Sequence, residues 1–288
     1  MPSGPADPPI HAVRAAVAAA LVEDLTPLGD LSAALVPVGA TGQATFVSRA
    51  HGVLAGTRCA TEAFAQLDAD VTLTWHLADG DPLEPGTTAG TVEGPLASIL
   101  TGERTALNFL CHLSGVASLT RRFVEAAGGG ARIWDTRKTT PGLRSLQKAA
   151  VRAGGGANHR GNLSDWVMLK DNHLAHTPIG DGVRRARERW PGRTIHVEID
   201  DLGDLDEVVS VGADAILLDN FSPEQAAEAV RRVEVLCGAG HPRPLLECSG
   251  GITIETAAAY AATGVDLLST SQITQSAPAL DIGLDIRG

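Results

Sequence analysis

The feature that most constrains the fold is a series of short apolar runs in the second half of the chain. Six such runs follow residue 131, namely RIWDTRK, WVMLKD, IHVEID, AILLD, PLLECSGG and DLLSTS. Segments of helical composition, such as PEQAAEAVRRVEVL, separate most of them. Apolar strands that alternate with helices indicate a parallel sheet covered on both faces. We therefore predict a closed or nearly closed α/β barrel, with room for a seventh strand.

A doubly wound open sheet is the alternative for this region. Such a sheet commonly binds a dinucleotide through G-x-G-x-x-G after its first strand, and no such motif follows RIWDTRK. The absence weakens this alternative.

The first part of the chain, to about residue 112, has a different pattern. A helix is predicted over 11–25, and short alternating runs at ATFVSRA, DVTLTWHLA and GTVEG predict strands. A long helical stretch starts near Pro95, with a predicted break at Ser114-Gly115. We predict an α+β domain over 1–112, with an antiparallel sheet, and the barrel domain over 113–274.

Composition excludes several classes of function. The formal net charge of −11 and an aromatic content of 3% argue against general nucleic-acid binding, which needs a basic surface or stacking rings. The four cysteines lack zinc-ligand spacing, so we interpret them as reduced thiols. The opening MPSGPADPP is interpreted as a flexible tail and not as a signal sequence, and no segment predicts a membrane span. The expected location is the cytoplasm.

Polar side chains follow the predicted strands. The strand ends carry Arg137 and Lys138, then Lys170, Glu198, Asp219, Glu247 with Ser249, and Ser269 to Gln272. In an α/β barrel the carboxyl ends of the strands converge on one mouth, where ligands bind. One charge after a strand is usually only solvated, but a succession of them favours a shared site.

The chemistry of these residues divides by sign. The cations Arg137, Lys138, His159, Arg160 and Lys170 suit a ligand with several negative charges, whereas the acids Glu198 and Asp219 suit a divalent metal or a developing positive charge. Ser249-Gly250-Gly251, just before a helix capped by Thr253, is typical of a phosphate-binding turn. A sugar phosphate that reacts with a polycarboxylate is the ligand pair that this pattern favours.

Several motifs also carry a family resemblance over nearly the whole chain. They are ERTALNFLCHLSG, DTRKTTPGLRSLQKAAVRAGGGANHRG, LKDNH, ILLDN, ECSGGI and the final LDIGLDI. The chain resembles the quinolinate phosphoribosyltransferases, which are decarboxylating nicotinate-nucleotide pyrophosphorylases of NAD biosynthesis. The resemblance implies an N-terminal α/β domain, which residues 275–288 rejoin, and an incomplete barrel of parallel strands.

The resemblance further implies a reaction and a set of site residues. Quinolinate and 5-phosphoribosyl-1-pyrophosphate (PRPP), with Mg²⁺, would give nicotinate mononucleotide, CO₂ and pyrophosphate in a homodimer. Lys138, Glu198 and Asp219 would be catalytic, and the two carboxylates would face Mg²⁺ through substrate or water. Arg104 would reach the site of the neighbouring subunit. The substrate-binding set would be Arg104, Thr136, Arg137, Lys138, His159, Arg160, Lys170, Ser249, Gly250, Gly251, Thr270, Ser271 and Gln272.

Some positions depart from the family pattern and leave alternatives open. Ser271 stands where a glycine is usual, Gln275 replaces a histidine, and Trp166 is bulkier than expected. The alternatives are a paralogous enzyme that acts on another pyridine carboxylate, such as the homologue associated with molybdenum transport, a barrel aldolase with Lys170 as Schiff base, and a non-catalytic nucleotide sensor.

Overall fold

The structure is a computed structural model that describes residues 7–287, so most of the predicted N-terminal tail lies outside the described residues. The helices of four or more residues are α1 Ile10–Leu25, α2 Thr57–Leu67, α3 Leu96–Ala127, α4 Arg144–Ala153, α5 Asp171–Leu174, α6 Ile179–Arg189, α7 Leu205–Ser210, α8 Pro223–Gly238, α9 Ile254–Ala261 and α10 Gln272–Gln275. The strands are β1 Thr41–Ser48, β2 Gly52–Val53, β3 Thr72–Trp75, β4 Pro82–Leu83, β5 Thr88–Pro95, β6 Arg132–Trp134, β7 Val167–Leu169, β8 Ile195–Ile199, β9 Ala215–Asp219, β10 Leu245–Ser249, β11 Leu267–Ser269 and β12 Ile282–Arg287. Over 7–287, no helix is both long enough and apolar enough to cross a membrane.

The chain forms two compact units that interleave along the sequence. The first contains residues 7–121, 138–155 and 273–287, and the second contains residues 122–137 and 156–272. The predicted domain boundary at residue 112 stays a prediction. The units differ from that simple division because residues 138–155, which include α4, belong to the first unit.

The first unit is built on an antiparallel sheet. Its strand order is β12-β1-β5-β3, so the C-terminal strand lies beside β1. Phe46 on β1 is fully buried, with its ring 5.2 Å from that of Trp75 on β3 and 6.4 Å from that of Phe64 on α2. The alternating runs predicted as strands thus correspond to β1, β3 and β5, which present one face to this apolar core.

Helix α3 runs without interruption through Ser114 and Gly115, so the predicted break there is wrong. Both residues serve close packing within the first unit. The Ser114 hydroxyl accepts a hydrogen bond from the Ala55 N–H and donates one to the Ala55 carbonyl. A Cβ atom at Gly115 would lie 2.0 Å from the carbonyl oxygen of Pro278. Glycine is therefore needed at this position for a neighbouring backbone, and it does not end the helix.

The second unit is the predicted α/β sheet of six parallel strands. Its order is β6-β11-β10-β9-β8-β7. From β7 to β11 each new strand is added on the same side, and β6 follows β11, whereas a doubly wound sheet reverses direction at a switch point. This winding is that of a barrel left open between β6 and β7, which confirms the predicted fold class. The carboxyl ends of all six strands lie at one edge.

Candidate active site

The edge formed by the carboxyl ends of the parallel strands gathers most of the predicted site residues. Strand register sets which side chains share a face, because successive residues of a strand point to opposite sides. Asp219 pairs with Ser249, which pairs with Ser269, so the ends of β9, β10 and β11 are level. The predicted residues of the second unit are Thr136, Arg137, His159, Arg160, Lys170, Glu198, Asp219, Ser249, Gly250, Gly251, Thr270, Ser271 and Gln272.

A buried aspartate positions the loop that carries His159 and Arg160. Asp135, directly after β6, is fully buried, and its carboxylate accepts hydrogen bonds from the His159 backbone N–H at 2.9 Å and from the Asn158 amide at 2.7 Å. The Ala157 N–H donates to the Ile133 carbonyl, so the loop continues the edge of the sheet. Asp135 therefore links the two motifs DTRK and NHR physically.

Arg160 is held in a positively charged, desolvated environment. Its side chain is buried, and one terminal nitrogen donates to the Trp166 carbonyl at 3.4 Å. Burial lowers the pKa of the Arg160 guanidinium, and the charge of Arg137 lowers it further. Two guanidinium groups that repel one another in this way form a site suited to an anion.

Lys170 and Glu198 join the cationic part of this edge to an acidic part. Their side chains form an ion pair, with Glu198 mostly buried and Lys170 partly exposed. Glu198 and Asp219 line a cavity of about 360 Å³. Its acidic lining residues are Asp171, Glu198, Asp200, Asp204, Glu207 and Asp219. Carboxylate oxygens are the ligands that Mg²⁺ prefers, so the chemistry of this lining suits a magnesium ion, although these carboxylates are not grouped closely enough among the described residues to form a ready ligand set.

The Ser249-Gly250-Gly251 turn requires glycine for two different reasons. Gly250 has a φ of +95°, and a Cβ there would lie 2.1 Å from the Oδ1 atom of Asn220, itself at a φ of +58°. Gly251 also has a positive φ, +64°, but a Cβ there would meet no heavy atom within 4 Å. Gly251 thus borders open space, and helix α9 follows with Thr253 at its N-cap, as predicted.

The turn after β11 is tied into the sheet edge. The Thr270 N–H donates to the Trp134 carbonyl, and its hydroxyl donates to the Ile252 carbonyl. The Thr270 hydroxyl also accepts a hydrogen bond from the Gln272 N–H. Thr270 is buried, whereas Ser271 and Gln272 are partly exposed. Thr270 therefore shapes the turn, and its two successors have the greater access to solvent.

Two predicted site residues belong to the first unit. Lys138 is exposed, and its carbonyl accepts a hydrogen bond from the Thr274 hydroxyl at 2.7 Å. The following loop is held by the buried Gln147, whose amide oxygen accepts from the Thr140 N–H. Arg104 lies on α3 and is exposed.

The structure forms a buried cluster below the strand ends, in which His196 was not predicted and Glu247, expected at a strand end, lies in the middle of β10. His196 on β8 and Glu247 on β10 are buried, and the Nε2 atoms of His196 and His159 lie 3.4 Å and 3.5 Å from the same Glu247 oxygen. The rings of Trp134 and Trp166 lie 5.5 Å and 4.9 Å from that of His159. The alternation of side chains in IHVEID could have indicated His196, because residues two apart on a strand point to the same face and Glu198 was already a candidate.

Comparisons with known proteins agree with this arrangement. Models for the N-terminal and C-terminal domains of quinolinate phosphoribosyl transferase match residues 30–114 and 116–285. The nicotinate-nucleotide pyrophosphorylase [carboxylating] of Mycobacterium leprae (strain TN) is 41% identical over 280 residues, which cover 96% of this chain and 97% of the relative. The human enzyme of that name is 37% identical, over 88% of this chain and 85% of its own.

A solved structure supports the same assignment. The nicotinate-nucleotide pyrophosphorylase from Francisella tularensis superposes with a TM-score of 0.91 at 35% identity, and the match covers 98% of each chain. Family models that together span most of the chain and relatives of this identity agree with the motifs at the strand ends. The chain therefore belongs to the quinolinate phosphoribosyl transferase family.

Proposed function

We propose that the chain transfers the phosphoribosyl group of PRPP to quinolinate and releases CO₂ and pyrophosphate, with nicotinate mononucleotide as the product. The observation that carries this proposal is the division of one sheet edge into a cationic part around Arg137 and Arg160 and an acidic part around Glu198 and Asp219. A compact dianion suits the first part, and a phosphorylated sugar with its metal suits the second.

The cationic part would bind the two quinolinate carboxylates. Arg137 and Arg160 offer planar forks that match a carboxylate with two hydrogen bonds each. Lys170 and His159 would add two further contacts, and Thr136 lies directly before Arg137 in the sequence. Because Arg160 is buried and close to another cation, an incoming carboxylate would relieve repulsion as well as form hydrogen bonds.

The acidic part would hold Mg²⁺, directly or through water and the pyrophosphate of PRPP. Glu198 and Asp219 are the two carboxylates that we assign to it, within a cavity whose lining supplies further oxygen donors. When bound, the ion would neutralise charge on the leaving pyrophosphate. Six carboxylates without a cation would repel PRPP, so its binding is expected to require Mg²⁺.

The chain's own residues would act mainly by electrostatics and positioning. The pyridine nitrogen forms a bond to the ribose C1 carbon as the bond from C1 to pyrophosphate breaks. Glu198 and Asp219 can stabilise the positive charge that develops on the ribose, and Lys138 would lie between the substrates. The ribosylated ring is cationic, so loss of the 2-carboxylate as CO₂ leaves an electron pair that the ring stabilises until a proton is taken up.

The turns after β10 and β11 would bind phosphate. The glycines of Ser249-Gly250-Gly251 let backbone N–H groups approach an anion, and the open space at Gly251 is consistent with a ligand there. In barrel enzymes phosphate commonly binds at the loops of the last strands. Thr270, Ser271 and Gln272 would complete this site. Ser271, in place of the usual glycine, is expected to alter the affinity for PRPP.

Labelled substrate tests the proposed reaction. Quinolinate that carries ¹⁴C in its 2-carboxyl group should release labelled CO₂ only when PRPP and Mg²⁺ are both present. Quinolinate labelled in the 3-carboxyl group is the matched control, and its label should be retained in nicotinate mononucleotide. A folded protein that forms no product from either substrate would contradict the proposal and favour a paralogue that acts on another pyridine carboxylate.

The homodimer and the cytoplasmic location are also part of the proposal. An exposed Arg104 on α3 is available to a neighbouring subunit, as the family resemblance implies. All four cysteines are free thiols, which is typical of a reducing compartment.

A further inference from the structure

The buried carboxylate of Glu247 has no role in the reaction described above. Glu247 lies in the middle of β10 and is fully buried, one layer below the strand ends. Two imidazole rings face its Oε2 atom, with the Nε2 atom of His196 at 3.4 Å and that of His159 at 3.5 Å. His159 is also one of the residues that we assign to the quinolinate carboxylates.

The neighbours of Glu247 favour its ionised form despite its burial. Burial by itself raises the pKa of this carboxyl group, but the nearby His159 and His196 rings and the Ser269 hydroxyl outweigh it, so that the pKa is lowered. Burial also lowers the pKa of His196, to about 4. A buried carboxylate is stable only when its neighbours supply compensating charge or hydrogen bonds. Glu247 therefore depends on the two rings, and the orientation of the rings depends on Glu247.

Two histidines and a glutamate could also be metal ligands, and their nitrogen and oxygen donors lie within 4.8 Å of one another. The neighbouring charges argue against this function. Arg160 and Lys170 lie close enough to act electrostatically on His196. The positive potential that they create opposes a divalent cation, whereas it favours an anionic carboxylate. The cluster is better suited to orienting a ring than to holding a metal.

We propose that Glu247 is a positioning residue that holds the His159 ring in the orientation that binds a quinolinate carboxylate. The inference rests on the proposed function, because it takes His159 as a contact of the substrate. The ring is held through its Nε2 atom, which faces the Oε2 atom of Glu247 at 3.5 Å.

The surroundings of His159 support a fixed orientation. Its backbone N–H donates to Asp135 at 2.9 Å, so the main chain is anchored separately from the ring. The rings of Trp134 and Trp166 lie 5.5 Å and 4.9 Å away and pack beside the imidazole. These apolar rings also exclude water, which strengthens the attraction between the imidazole and the carboxylate.

The test is the nearly isosteric variant Glu247→Gln, with Glu247→Asp as the conservative rescue. We expect the KM for quinolinate to rise roughly tenfold or more in Glu247→Gln, the scale of one charge-assisted contact, with a smaller change in kcat. The KM for PRPP should change less, because neither imidazole that faces Glu247 belongs to the turns that we assign to phosphate. Glu247→Asp should recover part of the affinity for quinolinate.

Cys248→Ala is the matched control. Cys248 is the next residue of β10 and is equally buried, but its side chain points to the opposite face of the sheet. This variant should lower the melting temperature without a selective change in the KM for quinolinate. If Glu247→Gln affects the KM values of both substrates equally, or behaves as Cys248→Ala does, Glu247 is merely structural.

A spectroscopic measurement separates this inference from the proposed function. The ¹⁵N resonances of the His159 ring, assigned with a His159→Gln variant, should shift in Glu247→Gln even if the protein has no activity with quinolinate. Unchanged resonances would overturn the positioning function, whereas an inactive wild-type enzyme would overturn only the proposed reaction. Stoichiometric transition metal in the purified protein, lost in Glu247→Gln, would show that the cluster is a metal site instead.

Discussion

At the scale of single residues, the two arginines near the β6 edge should control the affinity for quinolinate. Arg160→Ala removes a buried guanidinium that has a fixed place beside the Trp166 carbonyl. We expect the loss of a charge-assisted contact worth about 1.5–3 kcal/mol, measured as a rise in the KM or dissociation constant for quinolinate. Arg137→Ala should act in the same direction, and the affinity for PRPP should change less.

A surface arginine provides the control for these variants. Arg231 on α8 is exposed and pairs only with Glu228 within the part of the chain described, so Arg231→Ala should leave the affinity for quinolinate unchanged. If the affinity for quinolinate is unaltered in both Arg137→Ala and Arg160→Ala, the assignment of these arginines to the quinolinate pocket is wrong.

The cysteines give a second prediction at this scale. Burial, together with nearby acidic groups, raises the pKa of both Cys59 and Cys248 to about 12. A raised pKa keeps a thiol protonated, so at pH 8 only about 10⁻⁴ of either group is thiolate, the reactive form. In the native protein both should resist Ellman's reagent at pH 8 and react once the chain is unfolded.

Variants identify which thiols react. The double variant Cys59→Ser/Cys248→Ser should lose the signal that appears only on unfolding and should keep the native-state signal of the partly exposed Cys111 and Cys237. Equal, rapid reaction of all four thiols in the folded protein would contradict the burial on which the prediction depends.

At the scale of secondary-structure elements, Gly115 decides how closely α3 can approach its neighbours. Gly115→Ala would gain helix propensity of about 1 kcal/mol, but the new Cβ would lie 2.0 Å from the Pro278 carbonyl oxygen. That oxygen belongs to the backbone and cannot move as a flexible side chain can. The clash should outweigh the gain, and the free energy of unfolding in urea should fall by about 1–3 kcal/mol, as for other overpacked sites.

Gly238 offers the matched substitution. It is the last residue of α8, and a Cβ there would meet no heavy atom within 4 Å. Gly238→Ala should therefore be neutral or stabilise the protein by up to about 1 kcal/mol. Equal effects of the two substitutions would mean that propensity, and not the contact with Pro278, determines the outcome at Gly115.

The same helix illustrates how far the elements can be predicted from sequence. The six apolar runs predicted β6 to β11 because a strand covered on both faces needs continuous apolar residues. Ser114-Gly115 predicted a break because these residue types usually interrupt helices. Their actual contacts, with Ala55 and Pro278, are made with segments far away in the sequence. Local propensity carries no information about such partners.

The candidate site, like the elements, was predictable from the sequence only in part. Charges at strand ends could be predicted, because parallel strands bring their carboxyl ends to one edge. The interleaving of residues 138–155 with the first unit could not, nor could the functions of Asp135 and Glu247. Asp135 acts through hydrogen bonds to the His159 loop, and Glu247 lies below the edge where the charges were expected. Asp135 and Glu247 affect the site only through other residues, and the spacing of residues in the sequence does not indicate such indirect contacts.

At the scale of the whole molecule, the acidic charge of the chain is compatible with an anionic substrate. The formal net charge is −11, yet Arg137 and Arg160 repel each other at one edge of the sheet. Local potential in a desolvated pocket is set by the nearest groups, because salt screens distant surface charges within about 10 Å at 0.1 M. Binding of quinolinate should therefore depend on the pocket arginines and little on the net charge.

The last prediction follows from the proposed homodimer and concerns Arg104. If Arg104 serves the site of the neighbouring subunit, Arg104→Ala and Glu198→Gln should each inactivate the homodimer, since every site lacks one residue. A hybrid dimer with one subunit of each kind would contain one complete site and one that lacks both residues. Hybrids purified through two different tags should recover about half of the wild-type activity per dimer, as twofold symmetry requires.

The alternative arrangement gives a different result in the same experiment. If Arg104 acted within its own subunit, both sites of the hybrid would lack one residue, and the hybrid would be inactive. The control is a hybrid of Arg104→Ala with the double variant Arg104→Ala/Glu198→Gln, which has no complete site in either arrangement. Activity in that control would reveal contamination by wild-type enzyme. A monomer in sedimentation velocity would contradict the dimer itself.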